Sequence, residues 1–120
     1  MIKFVLPGIF SKFEINRVFF NYIDKHPEFL YPNRLISAVY GTFPYSIWDG
    51  GRRIPSYCTQ ERIIEERDFY NSRGISLRFT FTNSLIEESH LNDSFCNLCL
   101  SICNNGMNGV IIHSKLTVML

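Results

Sequence analysis

Tyr70-Asn71-Ser72-Arg73-Gly74-Ile75-Ser76-Leu77-Arg78-Phe79-Thr80-Phe81-Thr82-Asn83 is the stretch whose reading decides the fold. A charged run ends at Arg73-Gly74, where glycine suits the left-handed residue that closes a helix. The period then changes. From Ile75 to Phe81, Leu77, Phe79 and Phe81 alternate with Ser76, Arg78 and Thr80, and the enrichment in aromatic residues predicts a strand. Thr82-Asn83 is its polar stop, followed by the turn-rich run to Asp93.

Working upstream, Thr59 is an expected N-cap, and a helix from Glu61 is expected to turn Ile63, Ile64, Phe69 and Tyr70 inward. Arg62, Glu65, Glu66, Arg67 and Asp68 are expected mostly outward. Before it, Leu35 to Tyr40 reads as a strand followed by Gly41 and a long loop rich in Gly, Pro and aromatic residues up to Cys58. Earlier still, Ile2 to Leu6 reads as a strand halted by Pro7-Gly8. A helix from Ser11, as N-cap, carries an apolar stripe of Ile15, Val18, Phe19, Tyr22 and Ile23. A second line of Phe13, Arg17, Phe20 and Asp24 runs beside it, and Pro27 ends the pattern. Downstream, a helix from about Leu91 to Cys103 is closed by Asn104-Asn105-Gly106, and Gly109 to His113 reads as a fourth strand.

The order strand, helix, strand, helix, strand, helix, strand predicts an α/β fold with parallel strands and right-handed helical crossovers. All strand ends would then share one rim, made of Gly41-Thr42, Thr82-Asn83 and His113-Ser114, the edge where such folds carry their chemistry.

With 120 residues and 46% hydrophobic content, the chain is expected to be a single domain, residues 1–120, with a packed core. A formal charge of +1 gives no broad field for phosphate backbones, so nucleic acid is not expected as a partner. No apolar run reaches the ~20 residues of a membrane span, and the apolar start is cut short at Pro7, so neither membrane nor signal peptide is expected. Four cysteines, three crowded between Cys96 and Cys103, fit a reducing, cytoplasmic compartment.

Tyr40-Gly41-Thr42-Phe43-Pro44 with Trp48-Asp49-Gly50-Gly51-Arg52, then Phe69 to Ile75, then Arg78-Phe79-Thr80-Phe81-Thr82-Asn83, resemble an uncharacterised bacterial family of barrel-type proteins. More distantly, the order of elements is similar to the N-terminal part of the collagenase-like peptidases. The resemblance spans roughly Leu35 to Ser114 and implies the N-terminal half of a (β/α)8 barrel. A complete barrel needs eight strand-helix units and ~250 residues, so a truncated or half-length version is expected, with exposed strand edges or apolar faces for which homo-oligomerisation is one remedy.

Several groups carry candidate chemistry. On the rim, Asp49, Glu88 and His113 are the candidate catalytic residues, because a carboxylate of Glu87-Glu88 converging with the imidazoles of His90 and His113 would suit acid-base work or metal binding. Arg52, Thr82 and Asn83 are the candidate substrate-binding residues, since a guanidinium fork suits an anion and the hydroxyl and amide suit a polar ligand. Their bland counterparts are ordinary turn chemistry at Asp49-Gly50-Gly51, strand closure at Thr82-Asn83, helix-end stabilisation at Glu87-Glu88 and a solvent-exposed strand end at His113. Cys96, Cys99 and Cys103 fall on one helix face, where core packing competes with a metal site or a Cys96-Cys99 redox pair. The packing reading is preferred, and no cofactor or metal is expected. Phe43, Tyr45, Trp48 and Tyr57 either form a surface or fill the space beneath their own loop.

Two function classes follow. One is part of a barrel enzyme, of hydrolase or lyase class, acting on a polar small-molecule or carbohydrate-like substrate. The other is a non-catalytic α/β module that self-associates or binds a partner protein through an exposed edge.

Overall fold

The computed structural model describes residues 1–50, 58–113 and Lys115. It is an α/β fold with one four-stranded sheet of order β1-β2-β3-β4, in which every neighbouring pair is parallel. The strands are β1 (Ile2–Pro7), β2 (Arg34–Gly41), β3 (Ser76–Phe81) and β4 (Gly109–Ile112). The crossovers carry α1 (Phe13–Lys25), α2 (Gln60–Asn71) and α3 (Ser94–Cys103), with short 3-10 helices at Pro27–Phe29 and Glu88–Asn92. This alternation is compatible with half of a (β/α)8 barrel.

Strand register sorts the side chains. Leu77, Phe79 and Phe81 of β3 and Val39 of β2 are buried in the core with the helices, whereas Arg78 and Tyr40, one residue out of phase, are exposed. Val5 pairs with Ala38, and Tyr40 with Arg78, which in turn pairs with Gly109, so these residues share the face that no helix covers among the described residues, called the uncovered face below. A register shift between Phe4 and Val5 marks a bulge that adds Ser37 to β2; its hydroxyl donates to the Phe4 carbonyl at 3.4 Å.

The strands are also staggered. Pro7, the last residue of β1, lies level with Tyr40, Arg78 and Gly109, the first residue of β4. From β1 to β4 the strand centres are therefore displaced by about four residues.

The helices are held from both sides. Thr59 caps α2 by accepting from the Arg62 amide at 3.2 Å, as its sequence position predicts, and Gly74 adopts φ +73° after the helix. Asp93 caps α3 by accepting from the Cys96 amide at 2.8 Å. Arg73 joins α2 to α1: its Nε donates to Asp24 at 3.0 Å, and its guanidinium lies 3.9 Å above the Phe69 ring.

Helix α1 departs from two expectations. Its N-cap position is Lys12 and not Ser11, with no side-chain cap. Its buried line is Phe13, Asn16 and Phe20, while Ile15 and Val18 of the apolar stripe remain 67% and 68% exposed. Phe13 and Phe20 win because both meet Tyr70 edge-on at 6.0 Å, and Asn16 between them donates to the Tyr70 hydroxyl at 3.1 Å. Helix α2 also corrects the pattern: Glu66, expected outward, is 1% exposed, because it lies between Ile63 and Tyr70 on the core-facing line.

At the base of the sheet three asparagines form a cluster. Asn108, immediately before β4, accepts from the Leu77 amide and from Asn71 Nδ2, both at 2.9 Å, and donates to the Cys103 carbonyl at 2.9 Å. Asn105 donates to Asn71 Oδ1 at 2.8 Å. The amide of Leu77, which lies beyond the paired stretch of β4, is thereby satisfied.

Candidate functional site

Parallel pairing brings the C-terminal ends of the strands to one rim, and the loop after β2 folds back across it. Phe43 stacks on Phe79 at 4.4 Å between centroids, Trp48 meets Phe81 edge-on at 5.1 Å, and the Trp48 indole donates to the His90 carbonyl at 2.7 Å. Phe43 and Trp48 are therefore fillers beneath their loop; Tyr45 is exposed, and Tyr57 lies outside the described residues.

Anchored in this way, Asp49 sits over the end of β3. Its Oδ1 accepts from the Thr82 hydroxyl at 3.0 Å and from the Thr80 hydroxyl at 3.3 Å. The Gly50 amide reaches Thr82 Oγ1 at 3.3 Å. Asn83 is tied to the same loop, its Nδ2 donating to the Ile47 carbonyl at 2.8 Å and its amide to the Trp48 carbonyl at 3.0 Å. Asn83 Oδ1 accepts from the Leu85 amide at 2.9 Å. A Cβ on Gly50 would stand 2.6 Å from the Thr82 carbonyl oxygen, so this close approach requires glycine.

Three of the six candidate residues, Asp49, Thr82 and Asn83, thus come together. Glu88 lies exposed in the 3-10 helix, and among the described residues no hydrogen bond or ion pair joins its side chain to Asp49. The Glu87 carboxylate and His90 form a reciprocal cap on that same helix. His113 donates its amide to the Phe81 carbonyl at 3.2 Å, beside the rim, and is exposed. Arg52 lies outside the described residues.

The three thiols of α3 all point into the core and are at most 2% exposed. Burial pushes Cys96 up to about 11 and Cys103 up to about 12; Cys99 is raised further, again first by burial. Buried neutral thiols pack as small apolar groups. Among the described residues, no group of three His, Cys, Asp or Glu side chains is placed to hold a metal ion, and no helix is long and apolar enough to cross a membrane.

Glu66 went unnoticed as a site in the sequence. Its Oε1 accepts from Arg62 Nε at 2.8 Å, while Oε2 is buried with no partner among the described residues. Desolvation outweighs the Arg62 guanidinium and pushes this carboxyl up to about 7. The signal was its spacing, three residues after Ile63 and four before Tyr70, which outranks its charge.

Comparison with protein families, with curated proteins and with solved structures finds no match for this chain.

Proposed function

We infer that the chain is a non-catalytic α/β assembly module that associates with protein through the uncovered face and free edges of its sheet. One observation carries this reading. Val5, Leu35, Tyr40 and Ile111, spread over β1, β2 and β4, are each at least 40% exposed, an apolar surface on the side of the sheet away from the helices. The rim supports it too, since Asp49, Thr82 and Asn83 spend hydrogen-bonding capacity on fixing their own loop.

Static light scattering at micromolar concentration, paired with binding of an apolar dye, tests the reading. Association is expected, with dye taken up only on dilution. A stable monomer that binds no dye would sink it.

A second reading, a barrel-type hydrolase or lyase acting on a polar or carbohydrate-like substrate, is favoured by the placement of a carboxylate and two threonine hydroxyls at the C-terminal ends of parallel strands. Its test is a rise in melting temperature on adding sugars or sugar phosphates that Asp49→Asn removes. No rise with any of them would dispose of it.

A further inference from the structure

Resting on the association reading, we propose that the partner is a second copy of this chain, and that two copies close an eight-stranded parallel barrel by pairing β4 of each with β1 of the other.

A formal charge of +1 leaves little repulsion between copies.

The stagger supplies the geometry. An eight-stranded barrel of this class has a shear of about eight residues, and a two-fold axis divides it into about four for each copy. That displacement is already reached over the three pairings from β1 to β4, so the seam to the second copy has to add none. The sheet order leaves β1 and β4 as free edges among the described residues, and both run the same way, so joining β4 to the second copy's β1 continues the sheet in parallel.

Register then follows. The level that passes through Pro7, Tyr40, Arg78 and Gly109 meets the second copy four residues before its Pro7, at its Lys3. Val110 falls opposite the second copy's Phe4, Ile111 opposite its Val5, and Ile112 opposite its Leu6. Face parity holds: Ile111 and Val5 both lie on the uncovered face, and Val110 and Phe4 on the helix side. The seam joins apolar groups left open in one chain, Val110 at 46% exposure with Phe4 at 45%, and Ile111 at 48% with Val5 at 50%.

Two measurements test this. By light scattering, wild-type protein should have twice the mass of one chain, and the amides of β1 and β4 should gain hydrogen-exchange protection as concentration rises. In an equimolar mixture of Phe4→Cys and Val110→Cys chains, mild oxidation should give a disulfide between the two variants, located by peptide mapping, and none within either variant alone. A dimer linked Phe4→Cys to Phe4→Cys, or one in which β4 gains no protection, would overturn the barrel while leaving association intact. A different oligomer number would do the same. A wild-type monomer would overturn both.

Discussion

Glu66 is a carboxyl whose ionised form the fold serves poorly: one oxygen has Arg62, the other has nothing among the described residues. Its pKa is raised in the folded state, to about 7 from 4.5, so its contribution is fully present below pH 4.5, where both states hold the proton. Between those values the unfolded chain ionises first and stability falls as pH rises, by about 3 kcal/mol over the whole window. Glu66→Gln is expected to flatten the dependence between pH 5 and pH 8 and to be the more stable protein at pH 8. Urea melts of both proteins at several pH values decide it, and equal slopes would refute the assignment. At the rim, Asp49→Ala removes the acceptor shared by two threonine hydroxyls and is expected to cost about 1–3 kcal/mol. An unchanged denaturation midpoint would mean that the loop is held without it. The sequence placed Thr82 and Asn83 at a strand end correctly, yet could not pair them with Asp49. That pairing depends on how Phe43 and Trp48 seat the loop, a long-range matter that no local pattern records.

At the scale of elements, strands and helices were legible because the apolar period switches between two and 3.6 at glycine and proline. Helix faces were less so. Both lines of α1 carry aromatic residues, so periodicity alone cannot say which meets the sheet; the aromatic contacts of Phe13 and Phe20 with Tyr70 choose. On α2, Thr59→Ala should lower stability by ~1 kcal/mol through loss of its cap, measurable by thermal melting. On α3, the buried thiols should react with a disulfide reagent at pH 8 no faster than the protein unfolds. Rapid labelling of Cys96 or Cys103 in native protein would show that this helix leaves the core.

For the whole molecule, parallel order followed from alternation, whereas the stagger did not, because register lies in hydrogen bonds between segments distant in sequence. Closure into a barrel carries a cost at Arg78. Its side chain lies on the uncovered face against Gly109, so two copies would enclose two guanidinium groups. Arg78→Leu should therefore tighten self-association by on the order of tenfold or more, read from the concentration at which mass falls to that of one chain. Weaker association would show that this residue lies outside the enclosed space. The asparagine cluster has its own bearing on assembly. Four residues of β4 hold few ladder bonds, and a slip of one would turn every side chain to the opposite face. Asn108 forbids the slip from outside the sheet, by clamping the residue before β4 to Leu77, Asn71 and Cys103. One carboxamide thereby acts as the zero mark from which the last strand is measured, and its loss would blur the phasing of any chain that docks there.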